Sequence, residues 1–128
     1  MKLKVLIADD SPIVREMLSA QLLELGHDVV GEVSTGRGVL PAYRQHKPGL
    51  LILDISFDDI DGLSVLRQVR AGDPNASVLV LSGNDQKKVQ EITASLGARH
   101  LAKPYSIDTL RDAIQAFFGE DQKLRAAK

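Results

Sequence analysis

The chain of 128 residues contains no cysteine, which excludes disulfide bonds, Cys-ligated zinc, iron–sulfur clusters and thiol catalysis. It also lacks an N-terminal apolar stretch long enough for a signal peptide or a membrane span, because Val5 to Ala8 is followed by two carboxylates. Neither sign of charge is in excess: 16 Lys and Arg stand against 17 Asp and Glu, which leaves no basic field for nucleic acid. We therefore expect a cytoplasmic protein that binds neither nucleic acid directly nor a membrane.

The residues that are present suffice for one folded domain. Hydrophobic residues make up 44% of the chain and charged residues 26%, a balance typical of a soluble globule and too apolar for a disordered chain. A domain of this size buries roughly two thirds of the surface of its unfolded chain, so it needs no metal or disulfide for stability. We assign residues 1–118 to the domain and the mostly polar residues 119–128 to a C-terminal tail or an extension of the last helix.

Short apolar runs alternate with stretches of helical periodicity along the chain. The five runs are Val5 to Ala8, Val29 to Val33, Leu50 to Leu53, Val78 to Leu81 and His100 to Ala102. Runs this short and rich in Val, Ile and Leu are typical of parallel strands covered on both faces. The sequence therefore predicts an α/β fold of the (βα)5 type, with a doubly wound parallel sheet of five strands.

Capping residues locate most of the intervening helices. Ser11 and Ser106 are predicted to cap the first and fifth helices, and Asp61 precedes the third. The second stretch, Thr35 to His46, contains two glycines and a proline and is expected to be short, kinked or mobile. The predicted apolar face of the first helix consists of Ile13, Val14, Met17, Leu18, Leu22 and Leu25.

Polar residues that could bind a ligand or take part in catalysis follow four of the predicted strands. They are Asp9-Asp10 after strand 1, Asp54 after strand 3, Ser82-Gly83 after strand 4 and Lys103-Pro104 after strand 5. Ligands of open parallel α/β sheets bind beyond the carboxyl ends of the strands, where the strand order switches direction. If strands 1 and 3 are neighbours, three carboxylates converge, and each pair at about 4 Å repels by about 4 kcal/mol at an effective dielectric of about 20. Such a cluster must take up protons or bind a cation.

An all-oxygen site of this kind favours Mg²⁺, with Mn²⁺ and Ca²⁺ as alternatives, and points to phosphoryl chemistry. Asp54 is the candidate acceptor, because an Asp carboxylate can attack phosphorus and form an aspartyl phosphate. The three phosphoryl oxygens would then be met by Lys103, by the Ser82 hydroxyl and by a metal on Asp9 and Asp10.

These motifs, in this order and at these spacings, resemble the response-regulator receiver domain of bacterial two-component signalling. The resemblance covers about Lys2 to Phe118 and implies a flavodoxin-like sheet of order 2-1-3-4-5. It also implies Mg²⁺ held directly by Asp10 and Asp54, by the backbone carbonyl of Ser56, and by Asp9 through water. A cis peptide bond before Pro104, common in the family, would aim Lys103 into the pocket.

The resemblance further implies a signalling phosphoacceptor, and an enzyme only in catalysing its own phosphorylation and slow dephosphorylation. A sensor histidine kinase or phosphotransfer protein would supply the phosphoryl group to Asp54, and a downstream protein would bind the face formed by helix 4, strand 5 and helix 5. Either a standalone receiver or a receiver excised from a larger regulator fits a chain with one such domain. A haloacid-dehalogenase-type phosphatase is disfavoured, because that class places Asp-x-Asp after its first strand.

Two positions depart from the family pattern. Phe57-Asp58 stands where the family usually has Met-Pro, and His100 stands at the strand-5 position of the usual Tyr or Phe switch. Ser82 and His100 are accordingly the candidate switch residues. The same departures motivate an alternative function, a receiver-fold binding module that works without phosphorylation.

Overall fold

The computed structural model describes residues 2–83 and 86–118. Its strands are β1 (Lys4–Ala8), β2 (Asp28–Val33), β3 (Leu50–Asp54), β4 (Val78–Gly83) and β5 (Arg99–Lys103). Its helices are α1 (Pro12–Glu24), α2 (Val39–His46), α3 (Gly62–Gly72), α4 (Lys87–Ser95) and α5 (Ile107–Ala116). Strands and helices alternate throughout, which confirms the predicted (βα)5 order. The tail predicted for residues 119–128 lies outside the described residues.

All strand pairs in the sheet are parallel, and the strand order is β2-β1-β3-β4-β5. This order confirms the flavodoxin-like prediction. Ala8 pairs with Leu53, so the residues that follow them, Asp9 and Asp54, meet at the carboxyl ends of neighbouring strands. At the other side of β4, Gly83 pairs with Lys103, which brings the end of β5 to the same edge of the sheet.

Each face of the sheet carries its own hydrophobic core, because successive side chains of a strand point to opposite faces. Leu6 and Ala8 of β1 pack with α2 and α3, and their neighbours Val5 and Ile7 pack with α1 and α5. Fully burying one Leu or Ile side chain stabilises the fold by about 1.5–3 kcal/mol. The two cores pack the sheet between helical layers on both faces.

The prediction for the first helix is partly wrong about its buried face. Leu18 and Leu22 are fully buried as expected, whereas Ile13 is 71% exposed and Met17 is 55% exposed. Each exposed residue immediately precedes a residue of the packed row, Val14 or Leu18, and consecutive helical residues differ in direction by about 100°. The contact stripe of α1 is therefore narrower than the apolar pattern of its sequence.

The predicted caps are present, and the second helix is short as predicted. The Ser11 hydroxyl accepts the N–H of Val14, Asp61 accepts that of Leu63, and Ser106 accepts that of Thr109. In α2, Pro41 falls in the first turn, where a missing N–H costs no intrahelical hydrogen bond. Among the described residues, no helix combines the length and the apolar character needed to cross a membrane.

The buried His27 makes the stability of the fold depend on pH. Its Nδ1 accepts the Leu3 N–H at 3.1 Å, and burial lowers its pKa below the ordinary value of 6.5. The folded state therefore prefers the neutral ring, whose contribution is fully present above that value and is lost as the pH falls below it.

We expect His27→Asn, whose side-chain oxygen can replace Nδ1 as acceptor, to lose less free energy of unfolding than the wild type between about pH 7.5 and about pH 5.5. Urea unfolding with a metal chelator at the two pH values measures the difference. An equal loss in both proteins would contradict a role for His27 in the pH dependence.

Candidate functional site

Two carboxylates are buried side by side at the switch point of the sheet. Asp9 is 1% exposed and Asp54 is 4% exposed. Each carboxyl group shifts the pKa of the other, because they meet where strands β1 and β3 end. Buried carboxylates in contact are costly unless a cation or a proton compensates their charge.

Asp9 is the less compensated of the two. Its Oδ1 accepts the Ser11 N–H at 2.8 Å, while its Oδ2 is buried without a hydrogen-bond partner. Burial, followed by the proximity of Asp54, raises the pKa of Asp9 to about 6. The guanidinium of Arg15 binds the backbone carbonyl of Asp9 at 2.8 Å and leaves the carboxylate oxygen free. A buried acceptor without a donor is what a cation in this pocket would satisfy.

Asp54 is ionised at neutral pH. Burial alone would raise its pKa, but the Lys103 ammonium, the neighbouring Asp9 and the backbone N–H of Ser56 together hold the pKa below its ordinary value. Lys103 Nζ donates to Oδ2 of Asp54, and the Ser56 N–H donates to Oδ1 at 2.8 Å. The Lys103–Pro104 peptide bond is cis. The arrangement presents a buried anionic oxygen pair next to a fixed cation.

Ser82 and His100 contact each other on neighbouring strands. Ser82 is 3% exposed, and its hydroxyl forms a hydrogen bond with Nε2 of the half-buried His100. Burial lowers the pKa of His100, so its ring is neutral at neutral pH. The Ser82 hydroxyl can donate to that ring when Nε2 carries no proton.

The structure brings Asp9, Asp54 and Lys103 together, but it leaves the side chain of Asp10 exposed at the surface. Within residues 2–83 and 86–118, no three His, Asp or Glu side chains are grouped as metal ligands. The expected convergence of three carboxylates is thus only a pair here. Asp9 is buried beside Asp54, whereas Asp10 is exposed.

Two residues, Tyr105 and Asp59, have surroundings that the sequence pattern did not indicate. Tyr105 has its pKa raised to about 12 by burial, to which the charges of Asp9 and Asp54 add, so it lies beside the acidic pair. Its position directly after Lys103-Pro104 was the only available signal. Asp59 accepts two backbone N–H groups from residues 36 and 37, and contacts across 23 and 22 residues leave no local pattern in the sequence.

Comparison with known proteins decides the family. The model of the response regulator receiver domain matches residues 5–115 of the chain. The chain belongs to the response regulator receiver domain family. This receiver domain is 29% identical over 112 residues to the chemotaxis protein CheY of Bacillus subtilis, covering 87% of this chain and 93% of that protein. It is 32% identical over 114 residues to CheY of Listeria monocytogenes, covering 88% and 96%.

Other relatives extend the likeness beyond chemotaxis proteins. Sporulation initiation phosphotransferase F of Bacillus subtilis is 28% identical over 115 residues, covering 89% of this chain and 92% of that protein. The receiver fold also matches a solved CheX-CheY-BeF3-Mg complex from Borrelia burgdorferi, with a TM-score of 0.86 and 23% identity over 90% of this chain and 88% of that chain. Receiver domains are signalling modules of two-component regulators, distinct from classical enzymes.

The raised pKa of Asp9 predicts that the ionised Asp9 lowers the free energy of unfolding of this receiver at neutral pH. The folded state binds the Asp9 proton more tightly than the unfolded state, so stability decreases as the pH rises from 3.8 to about 6. We expect Asp9→Asn to raise the free energy of unfolding at neutral pH by roughly 2 kcal/mol in the presence of a metal chelator.

Urea unfolding checks this prediction, with Asp10→Asn as the matched control for loss of one charge. The exposed Asp10 should change stability by less than about 0.5 kcal/mol. A gain for Asp9→Asn that persists below about pH 3, where Asp9 is protonated in both states, would contradict the assigned cause.

Proposed function

We propose that this receiver accepts a phosphoryl group on Asp54 in a Mg²⁺-dependent reaction, from a sensor histidine kinase or a phosphotransfer protein. The observation that carries the proposal is the buried, ionised Asp54 paired with Lys103 at the carboxyl edge of the sheet. One relative is described as a phosphotransferase and a similar structure as a complex with BeF3 and Mg, which supports the same chemistry.

The transfer is a displacement at phosphorus. A carboxylate oxygen of Asp54 forms the new O–P bond while the donor's P–N bond breaks, and the donor imidazole retains the electron pair and takes up a proton. Lys103 already contacts Asp54 and would neutralise charge on a phosphoryl oxygen without long movement. Its side chain is 34% exposed, so an incoming phosphoryl group has access from solvent.

The residues of the pocket fit the proposed Mg²⁺. Asp9 supplies an unpartnered buried carboxylate oxygen and Asp54 a second carboxylate. The exposed Asp10 would have to turn toward this pair to join it, and the backbone carbonyl of Ser56 would add a further oxygen. We propose that Asp10, Asp54 and Ser56 hold the ion directly and that Asp9 holds it through water. Mn²⁺ and Ca²⁺ share the preference for oxygen, and when bound such an ion neutralises charge on the transferred group.

We propose that Ser82 and His100 form the switch. When Nε2 of His100 carries no proton, the single Ser82 hydroxyl proton cannot be donated to it and to a phosphoryl oxygen at once. Phosphorylation of Asp54 would draw the hydroxyl of Ser82 to the phosphoryl group and release His100. Because His100 lies on β5, the change would reach the face of α4, β5 and α5, where we place the downstream protein.

Intact mass spectrometry tests the phosphoacceptor assignment. Incubation with Mg²⁺ and acetyl phosphate should add one phosphoryl group to the wild type and none to Asp54→Asn, which keeps the side-chain shape but lacks the anionic nucleophile. An equal adduct in both proteins, or none in the wild type, would exclude the proposed function. A partner whose affinity does not change with beryllofluoride would instead favour the phosphorylation-independent binding module.

The Ser82–His100 contact predicts a coupled effect of two substitutions. We expect His100→Phe to speed phosphorylation by acetyl phosphate about fivefold, because the Ser82 hydroxyl no longer has to leave a hydrogen bond with a net contribution of about 1 kcal/mol. The gain should vanish when Ser82→Ala is also present. A double-mutant cycle of the four rate constants measures the coupling, and an equal gain in both backgrounds would contradict it.

A further inference from the structure

One side chain connects the loop that follows Asp54 to the loop between β2 and α2. We call residues 55–61, between β3 and α3, the phosphoacceptor loop. Asp59 of this loop accepts the backbone N–H of Gly36 at its Oδ1, at 2.9 Å, and that of Arg37 at its Oδ2, at 3.0 Å. These two bonds lower the pKa of Asp59, so the acceptor is the charged carboxylate. We call this pair of bonds the Asp59 clamp.

The two loops approach so closely that only glycine fits between them. A Cβ atom on Gly36 would lie 2.2 Å from Cγ2 of Ile60 and 3.2 Å from Oδ1 of Asp59. Ile60 and Phe57 of the phosphoacceptor loop in turn pack against the core on the α2 and α3 side of the sheet. The loop is therefore anchored by apolar contacts on its inner side and by the clamp toward residues 36 and 37.

We propose that Asp59 is a positioning residue for the phosphoacceptor site. The inference rests on the proposed function, because the loop it fixes carries Ser56, which binds Asp54 Oδ1 through its N–H and is the proposed source of a backbone carbonyl for Mg²⁺. Asp58 stands where the family usually has proline, so this loop lacks the restraint of a proline ring. The clamp formed by the next residue, Asp59, would supply a restraint in its place. A proline ring restricts the backbone of its own residue, whereas the Asp59 carboxylate restricts the loop by accepting two backbone N–H groups of another loop.

Loss of the clamp should act on metal affinity and spare the chemical step. The Ser56 carbonyl can meet Mg²⁺ only in a subset of loop arrangements, and apparent affinity falls in proportion to the population of the competent arrangement. Saturating Mg²⁺ pulls the loop back into that arrangement, so the maximal rate of phosphorylation is preserved. A residue that merely stabilised the fold would not produce this separation.

The test compares Asp59→Ala with Asp58→Ala. Both remove one exposed negative charge from the same loop, but Asp58 accepts no hydrogen bond within residues 2–83 and 86–118, so only Asp59→Ala breaks the clamp. We expect Asp59→Ala to raise the Mg²⁺ concentration for half-maximal phosphorylation by acetyl phosphate about fivefold over the control, below the tenfold or more typical for partners of metal ligands. The maximal rate should differ by less than about twofold, and Asp59→Asn, which keeps one acceptor oxygen, should lie between.

Two further measurements separate the clamp from the proposed function. Hydrogen exchange of the Gly36 and Arg37 amides should speed up in Asp59→Ala only, and calorimetric titration with Mg²⁺ alone should show the same loss of affinity as the kinetics. If the wild type is phosphorylated on Asp54 and the two variants share one Mg²⁺ dependence, the positioning role is wrong and the proposed function stands. If the maximal rate falls at all Mg²⁺ concentrations, the role is also wrong. A wild type that binds no Mg²⁺ and forms no adduct would exclude both.

Discussion

The pairing of Asp54 with Lys103 is the interaction on which the rest of the site depends. A carboxylate that is 4% exposed stays ionised because the Lys103 ammonium, helped by the Ser56 N–H and by Asp9, compensates the cost of its burial. Lys103 reaches Asp54 from β5 across β4, so the contact exists only in a sheet of this strand order. The fold therefore contributes to the chemistry directly, because it decides which side chains share the carboxyl edge.

Asp9 shows the opposite balance at the same edge. It is as buried as Asp54, but it has no cation of its own in the described structure, and its pKa rises where that of Asp54 falls. Functional sites commonly retain such destabilised groups, and the surrounding core supplies the stability that they cost. The two apolar cores on either side of the sheet allow this chain to hold an imperfectly compensated carboxylate at its switch point.

The sequence predicted the features that follow from local patterns. A helix cap or an apolar strand depends on residues that are close in the sequence. The caps Ser11 and Ser106 and the five strands were therefore predicted correctly. The exposure of Ile13 was mispredicted because the width of a helix contact depends on the sheet beneath it, which periodicity does not describe. Likewise, the inward Asp9 and outward Asp10 differ only in backbone direction after β1, and the two letters look equivalent in the sequence.

Long-range contacts explain the remainder: one is made by His100, which departs from the family's pattern, and the other by Asp59, which follows the departing Phe57-Asp58. Where the family has an aromatic switch, His100 makes a hydrogen bond to Ser82, and where it has Met-Pro, the loop is held by Asp59. In each case a polar contact takes the place of a ring, that of the aromatic switch or that of the proline. A hydrogen bond is directional, and its donor or acceptor can change partner. A close-packed ring can move only if its neighbours make space for it. Under the proposed function, the output of this receiver would therefore follow which partner holds the Ser82 proton, while the Asp59 clamp would set how readily the metal-binding loop is in place.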